Sequence, residues 1–590
     1  MKSKFFMPLV AAMLFASCSS DEPVAIPGDS DDVAGAKYLT VNLVSTPDNA
    51  GSKANNQETG EPGDATYEEG YASENKVNGV RFYFFDNDGN IAAVKADGHN
   101  YVDWSPVTED DKIDMPNIEK MLKATIVIST KAGDLLPTRI AAVINPVTEA
   151  LGEGNLDLTT LRNRTKDYVA AATGTNGAFV MINSVYSQNG EIAATAVSPA
   201  NYASKAGDAE KVPVNIYVER CVAKVRVTLG TAVTPNDKGL IALKDSEGNP
   251  ITVGVGSEKK QVYLKTTNWN ITAETDKSYL SKHIDANWDA SLFGNEAWNY
   301  APFFRSFWAK NTDKAHQHWH SFDDIATNGG KNYGRDLTNS IYTNENAVQD
   351  ATLNAASTGA DVEKFTKVIL AGELVDENGN AIEVCKYAGA NIIGESNLKK
   401  LLLENLANNG MIYSYTTDAE GTHYTSLKDE DVKFVTGINA ALGDKTPGTS
   451  EATQGRHYVY LQLTETGAAK SWSKSDAQVQ PEGARFADAA AVNTYLAAQI
   501  GHAQIHKRGL TYYYFPIRHL GDENHVGYYG VVRNHIYDCT ITKIAGLGTA
   551  VYDPTEVIYP EKPQDEETFI AAKINILSWR VVSNDVELDW

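Results

Sequence analysis

Apolar and polar residues alternate along much of the chain with the two-residue period that is typical of half-buried strands. In residues 37–44 the apolar positions include Leu39, Val41 and Leu43, which predicts one strand with a buried face. Further strands are predicted at 80–85, 125–130, 139–144, 179–183, 367–375, 382–387, 457–463, 511–517 and 538–544.

The longest alternation covers residues 214–230 and predicts one continuous strand. Its apolar face carries Cys221, which we interpret as a packed free thiol rather than a nucleophile. Its opposite face carries Lys224 and Arg226, so we expect that face to be in contact with water.

Helical spacing occurs at residues 156–171, 398–406 and 487–500. Many strands, few helices and long loops favour an all-β fold built from antiparallel sandwiches. Residues 265–360 differ, because they hold five of the nine Trp among many Asn, Ala and Asp residues. We expect an insertion there with little regular structure, folded around its aromatic side chains.

Residues 86–90, with the sequence Asp-Asn-Asp-Gly-Asn, follow a predicted strand. They could begin a calcium loop, but the position that needs an acidic ligand is then Gly98. A hairpin turn is the better interpretation, because Asp, Asn and Gly tolerate left-handed backbone angles. Residues 245–249 and 376–380 predict further turns of the same kind.

The charge of the chain excludes a general nucleic-acid binder. Its 590 residues carry 52 Lys and Arg against 76 Asp and Glu, a formal charge of −24, whereas phosphate recognition needs clustered bases. The length predicts two to four domains. Four dispersed Cys are too few for a disulfide scaffold or a zinc site with paired ligands.

The strongest metal-like pattern is the alternation of His316, His318 and His320, whose imidazoles would project from one face of an extended segment. No Cys or carboxylate within the segment completes a ligand set, so we favour no metal site there. Phosphate loops, nucleophile elbows and paired zinc motifs do not stand out, and we predict neither a cofactor nor an enzymatic activity.

The N-terminus has the order of a secretory signal peptide, with Lys2 and Lys4 followed by an apolar run over 5–16. Residues 15–18 resemble a bacterial lipobox, which makes Cys18 the predicted site of lipidation. A plain signal peptide with an incidental Cys18 is the alternative.

Segments spread over nearly the whole chain resemble the major shaft subunits of Bacteroidia type V fimbriae, the FimA/Mfa-type fimbrillin family. They are YLTVNLV, KVNGVRFYFFDNDG, AAVINP, FVMINS, VNIYVERCVAKVRV, AGELVDENGNAIEV, VVRNHIYDCTI and ILSWRVVSNDVELDW. The resemblance implies two transthyretin-like β-sandwich domains. It also implies export to the outer membrane as a lipoprotein and polymerisation at the cell surface.

In that family an extracellular trypsin-like protease removes the first strand, and the C-terminal segment of the neighbouring subunit fills the vacated groove. Here the excised strand would carry Leu39, Val41 and Leu43. Family processing usually follows Arg, but residues 1–80 contain none, and Lys53 stands where the site would fall.

The C-terminal residues form two short alternating apolar runs and end without a polar tail, which favours a donor strand over a terminal strand of the chain's own fold. The predicted donor residues are Ile574, Ile576, Leu577, Trp579, Val581, Val586, Leu588 and Trp590.

The predicted organisation is a signal peptide 1–17, a lipidated propeptide 18–53, an N-terminal β-sandwich 54–217, a C-terminal β-sandwich 218–570 with the insertion 265–360, and a donor segment 571–590. The predicted partners are other copies of the chain, fimbrial anchor and tip subunits, and the protease, with adhesion and biofilm formation as the outcome. An anchor, tip or accessory subunit and a glycan-binding surface lipoprotein remain the alternatives.

Overall fold

The computed structural model describes residues 37–45, 67–68, 71, 73–74, 76–106, 121–129, 135–146, 148–167, 179–187, 191–254, 259–275, 277–284, 316–347, 365–437, 457–519, 529–560 and 569–579. The strands of the N-terminal part are β1 Lys37–Ser45, β2 Tyr67–Glu68, β3 Val80–Phe85, β4 Tyr101–Trp104, β5 Met121–Ile128, β6 Arg139–Ile144, β7 Thr165–Asp167, β8 Met181–Asn183, β9 Tyr186–Ser187, β10 Glu191–Ile192, β11 Thr195–Ala196, β12 Tyr202–Ala203 and β13 Val214–Arg220.

Nine of these strands form one sheet in the described part of the N-terminal domain. Its main path runs β12-β1-β13-β8-β6-β3-β4, while β5 pairs with β1 and β11 pairs with β6. Alternate residues of β1, β3, β5, β6 and β13 converge on one apolar cluster that includes Val41, Phe82, Ile126, Ile140 and Ile216. The two-residue period of these strands places alternate residues in this core, and the opposite face of β3 and β6 packs in a second apolar cluster that includes Tyr83, Phe85 and Val143.

The strands of the C-terminal part are β14 Ala223–Leu229, β15 Ile241–Ala242, β16 Thr252–Val253, β17 Lys260–Gln261, β18 Tyr263–Thr272, β19 Glu274–Thr275, β20 Lys277–Tyr279, β21 His316–His318, β22 Ser340–Thr343, β23 Asn346–Ala347, β24 Lys367–Val375, β25 Val384–Tyr387, β26 Ala390–Ile393, β27 Tyr413–Asp418, β28 Gly421–Ser426, β29 Val432–Thr436, β30 Val459–Leu463, β31 Ser471–Ser473, β32 Gln504–His506, β33 Leu510–Pro516, β34 Gly530–Val531, β35 His535–Ala545, β36 Thr549–Ala550 and β37 Phe569–Trp579. The α-helices are α1 Thr148–Leu151, α2 Leu158–Arg162, α3 Ala206–Ala209, α4 Glu395–Asn409, α5 Glu465–Ala468 and α6 Ala489–Ile500.

The C-terminal domain is a sandwich of two five-stranded sheets. One has the order β2-β37-β35-β14-β22 and the other β15-β18-β24-β33-β36. Their facing residues form one core, in which Val225 and Cys539 from the first sheet join Trp269, Leu370 and Phe515 from the second. With the sheet of the N-terminal domain, this arrangement confirms the predicted all-β fold with few helices.

A lobe of residues 384–506 connects β24 to β33, which are neighbours in the second sheet. It contains α4, α6 and strands β25 to β32, and it has a separate apolar core that includes Leu402, Phe434, Leu461, Trp472 and Leu496. Both helices were predicted from their spacing. The sequence analysis did not predict that they share a core with these short strands.

The single strand predicted over 214–230 is wrong. β13 ends at Arg220 in the N-terminal sheet, and β14 begins at Ala223 in the C-terminal sandwich. The chain crosses between domains at Cys221 and Val222, three residues beyond the expected boundary at 217. The apolar alternation continues through the crossing because both strands are buried, each in its own domain.

The face expected to be wet on this segment is buried as well. Lys224 lies 3.0 Å from Glu74 and Arg226 lies 2.9 Å from Asp538, measured between the charged groups. Arg335 also contacts Asp538 from outside. The charged side chains of this face are therefore buried, and opposite charges compensate them instead of water.

Two further expectations need correction. The helix predicted over 156–171 is only α2, which is followed at once by β7. Residues 265–272 of the predicted insertion are part of β18, a core strand paired with β24, in which the buried Trp269 donates its indole N–H to the carbonyl of Asn332 at 3.0 Å. Trp288, Trp298 and Trp308 lie outside the described residues.

Candidate functional site

The first strand of the described part of the chain, β1, lies inside the N-terminal sheet and not at its edge. β1 pairs antiparallel with β5 from Lys37 opposite Ile128 to Val44 opposite Met121. On its other side it pairs parallel with β13, from Val41 beside Val214 onwards, and briefly with β12. We call the space that β1 fills between β5 and β13 the β1 slot.

The side chains of β1 divide between a core face and a polar face. Leu39 and Val41 are 0% exposed and Leu43 is 2% exposed, and all three belong to the core of the N-terminal domain. Full burial of such a side chain contributes about 1.5–3 kcal/mol relative to leaving it in water. The predicted inward set of this strand is therefore the set that the structure buries.

The polar face of β1 is matched to its two neighbours. The Thr40 hydroxyl lies 3.3 Å from the Thr125 hydroxyl on β5. Asn42 donates its amide N–H to the side-chain oxygen of Asn215 on β13 at 3.0 Å. Neither Thr125 nor Asn215 was predicted, because these partners lie 85 and 173 residues away from Thr40 and Asn42 and leave no local signal in the sequence.

Loss of β1 would leave two unpaired strand edges and an apolar slot between them. Unpaired backbone groups of this kind are a template for another strand. The slot has a defined direction as well, because an entering strand that kept every backbone bond would run antiparallel to β5 and parallel to β13.

The C-terminal strand β37 is part of the chain's own sandwich. It pairs antiparallel with β35, with Ile574 opposite Cys539, Ile576 opposite Tyr537 and Leu577 opposite Ile536. Its last residue, Trp579, pairs with Glu68 of β2. Four predicted donor residues therefore lie in this strand.

The other predicted donor residues, Val581, Val586, Leu588 and Trp590, lie outside the described residues. The predicted lipidation and processing residues, Cys18 and Lys53, lie outside them as well. Within the described part of the chain, no helix is long and apolar enough to cross a membrane.

The three histidines of the metal-like pattern lie in and after β21. His316 and His318 begin and end this strand, and the His320 imidazole lies 3.1 Å from the Glu274 carboxylate. Among the described residues, no group of three or more His, Cys, Asp or Glu side chains could hold a metal ion. His320 instead pairs with a carboxylate of its own domain.

The described cysteines form no disulfide and are buried in apolar clusters. Cys221 lies in the cluster on the opposite face of the N-terminal sheet, Cys539 in the core of the sandwich and Cys385 in the core of the lobe. Burial raises the pKa of Cys385 to about 12 and raises the pKa of Cys539 well above its usual value. Such thiols remain protonated at neutral pH and fill space as small apolar groups.

Residues 504–585 match the family described as major fimbrial subunit protein type IV, fimbrillin, C-terminal. This part of the chain is similar to fimbrillin C-terminal regions. The resemblance to the FimA/Mfa-type fimbrillins is thereby confirmed. The fimbrillin region contains β35 and β37, so the strand pairing at the C-terminus belongs to the part of the chain that matches the family.

Several solved structures are similar to this chain over 59–93% of its length at low identity. A fimbrilin (FimA) from Porphyromonas gingivalis W83 is 13% identical over 93% of this chain and 98% of its own, with a TM-score of 0.32. The tip fimbrial protein Mfa3 from Porphyromonas gingivalis is 11% identical over 92% and 100%, with a TM-score of 0.33. A fimbrial assembly protein from Parabacteroides distasonis ATCC 8503 is 11% identical over 59% and 89%, with a TM-score of 0.27. TM-scores below 0.5 carry no argument about function, and no curated protein matches the chain.

Proposed function

We propose that the chain is a shaft subunit of a cell-surface fimbrium, exported as an outer-membrane lipoprotein and polymerised by strand exchange. The observation that carries this proposal is the position of β1, which fills an internal slot although it precedes all other described strands of the sheet. The fimbrillin C-terminal region supports a fimbrial subunit, and fimbrillins are structural subunits rather than enzymes.

Removal of β1 is the step that opens the slot. Residues 46–66 connect β1 to the next described strand, and Lys53 lies among them. A cut after Lys53 leaves β1 attached only by its backbone hydrogen bonds and side-chain contacts. We infer that a trypsin-like protease makes this cut and that β1 then leaves with the lipidated propeptide.

The end of a second copy of the chain has the pattern that the slot accepts. Residues 586–590 read Val-Glu-Leu-Asp-Trp, and β1 reads Leu-Thr-Val-Asn-Leu over 39–43. Both alternate three apolar residues with two polar ones. With Trp590 in the position of Leu43, Asp589 takes the position of Asn42, which lies opposite Lys123 of β5. A carboxylate opposite an ammonium group favours this register.

The experiment follows precursor, processed protein and fibre separately. Purified precursor is treated with trypsin, its new N-terminus is sequenced, and fibres are counted by electron microscopy. The native chain is expected to begin at Ala54 and to form fibres. Lys53→Gln is expected to remain uncut there and monomeric, whereas the control Lys205→Gln, at an exposed position, behaves as the native chain.

Deletion of residues 580–590 tests the donor. This truncation retains β37 and hence the sandwich, whereas a longer deletion from 571 would also remove a strand of the chain's own sheet. A shaft subunit so truncated is cut normally but forms no fibres. Normal fibres from the truncated chain, or native fibres that still carry a lipid on Cys18, would contradict the proposal.

A fimbrial anchor or tip subunit is the second candidate, favoured by the absence of Arg from residues 1–80. Such a subunit joins the fibre once. Mixed with a separate shaft subunit that forms fibres, it is expected to cap those fibres and shorten them instead of extending them.

A further inference from the structure

A short strap joins the two domains at the point where the chain enters β3. We define the strap as residues 71, 73–74 and 76–78. At one end, the Tyr71 hydroxyl donates to the carbonyl of Arg335 at 3.2 Å, and the ammonium group of Lys224 lies 4.5 Å from the centre of the Tyr71 ring. Arg335 and Lys224 belong to the C-terminal domain.

The other end of the strap is held by the N-terminal domain. Asn145, directly after β6, donates its amide N–H groups to the carbonyls of Lys76 and Phe179, both at 2.8 Å. The backbone N–H of Asn78 donates to the Asn145 side-chain oxygen at 2.7 Å. The strap therefore bridges the domains over only a few residues.

Glu74 is the centre of the strap and is fully buried. Its carboxylate accepts hydrogen bonds from the Tyr342 hydroxyl and, at 2.7 Å, from the backbone N–H of Tyr71, and it lies 3.0 Å from the Lys224 ammonium group. Its backbone carbonyl accepts a hydrogen bond from Arg220 at 3.3 Å. Arg220 ends β13 in the N-terminal sheet, whereas Lys224 and Tyr342 lie on β14 and β22 of the sandwich.

A buried carboxylate with this set of partners tolerates little movement between them. If the domains rotated apart, Glu74 would keep its charge in an apolar setting without compensation, which is costly. A second set of contacts also joins the domains: β20 pairs with β7, and the N–H of Leu280 donates to the carbonyl of Arg164 at 2.8 Å. The strap and this strand pair together restrict rotation between the domains, whereas either one alone would act as a hinge.

We propose that Glu74 is a positioning residue that holds the two domains in one relative orientation. The β1 slot lies in the N-terminal domain, and the chain leaves β37 from the C-terminal domain. A fixed domain orientation therefore sets the direction in which each subunit presents its C-terminal end relative to its own slot. This consequence for a fibre rests on the function proposed above, whereas the orienting role of Glu74 does not.

The test measures the orientation in the full-length precursor. Spin labels are attached through Lys205→Cys and Asp237→Cys, exposed positions in the N-terminal and C-terminal domains, and the distance distribution between them is recorded. Glu74→Gln, which removes the charge but keeps the shape, is expected to broaden and shift this distribution. The control Glu373→Gln breaks an exposed ion pair with Lys265 and is expected to leave it unchanged.

A merely structural role would lower the melting temperature of Glu74→Gln and leave the distances unchanged, and this result would overturn the proposal. If Glu74→Gln does not fold, Tyr342→Phe decides, because it removes one hydrogen bond and keeps the ring. Broadening then supports the orienting role, and an unchanged distribution overturns it.

Fibres separate this proposal from the proposed function. If native protein forms none, the proposed function fails while the distance measurement still decides on Glu74. If native fibres form, Glu74→Gln fibres are expected to be more curved and more variable in their helical repeat. Fibres identical to native, together with unchanged distances, would reject the role of Glu74 and leave the proposed function intact.

Discussion

Three hairpin turns each begin with an aspartate that makes the same set of hydrogen bonds; these are Asp86, Asp245 and Asp376. In each turn the aspartate side-chain oxygen accepts the backbone N–H groups of the residues two and four positions later, at 2.8–3.0 Å. The glycine three positions later has φ of 84° to 91°, a value that favours glycine. All three turns were predicted, because every group involved lies within five residues.

The turn at Asp86 gives a prediction for acid stability. Hydrogen bonds from Asn90, first of all its side-chain amide, lower the pKa of Asp86 below its usual value. A carboxyl group whose pKa is lower in the folded chain stabilises the fold above its unfolded pKa, and this contribution is lost as pH falls through the folded pKa. We expect Asp86→Asn to lower the melting temperature at pH 7 and the difference from the native chain to shrink below about pH 4.

The measurement is thermal unfolding of both chains across that pH range. Asp88→Asn is the control, since Asp88 contributes only its backbone N–H to the Asp86 carboxylate in this turn. A difference for Asp86→Asn that stays constant down to pH 2 would show that the charge of Asp86 is not what stabilises the turn.

Contacts between residues of different domains could not be predicted from local sequence, unlike the three turns. Glu74 lies in a segment of mostly polar residues, yet it is buried against Lys224 and Tyr342, which are 150 and 268 residues away. The sequence alone carries no signal for such a pairing, because each partner would be ordinary on a surface. The same is true of Thr125 and Asn215 beside β1.

At the scale of elements, hydrophobic alternation located strands well but did not locate where they end. β1, β3, β6 and β24 lie within a residue of their predicted bounds. The break between β13 and β14 was missed because burial in two different cores preserves the alternation across the crossing at Cys221. Alternating apolar residues predict that one face of a strand is buried, but they do not predict which sheet the strand belongs to.

The burial of β1 predicts that one substitution in it destabilises the precursor but not the processed subunit. Leu39→Ala is expected to reduce the free energy of unfolding of the precursor by about 2–5 kcal/mol, because it removes buried methyl groups and leaves a cavity. After cleavage and loss of β1, the same substitution is expected to have no effect on the remaining subunit. Chemical denaturation of both forms measures this.

Leu135→Ala is the matched control, since Leu135 is 87% exposed and outside the β1 slot. It should leave both forms as stable as the native chain. A loss of stability from Leu39→Ala that persists after processing would mean that β1 stays in its slot.

At the scale of the whole molecule, the described chain is built around separate cores rather than one. The N-terminal sheet, the sandwich and the lobe of residues 384–506 each have their own apolar cluster. The two β domains were expected from the resemblance to fimbrillins, whereas the alternation of the long strands predicted only an all-β fold. The lobe was not predicted, because its strands are only three to six residues long and nothing in the sequences of its two helices shows that they pack together.

A separate core predicts that the lobe unfolds as its own unit. Leu402 on α4 is fully buried in the lobe, and its replacement by Ala is expected to lower the opening free energy of residues 384–506 by about 2–5 kcal/mol. The rate of amide hydrogen exchange should rise throughout the lobe and remain unchanged in β1, β5 and β13, because opening of one cooperative unit need not open another. Lys400→Ala, two residues away on the exposed side of the same helix, controls for the introduction of Ala into this helix and should change little. The chain enters the lobe after β24 and leaves it before β33, and these two strands pair with each other over seven residues, so we expect them to stay paired when the lobe opens. If exchange rose equally in the lobe and in β1, β5 and β13, the lobe and the β1 slot would instead form one cooperative unit. The stability of the slot would then depend on whatever binds the lobe.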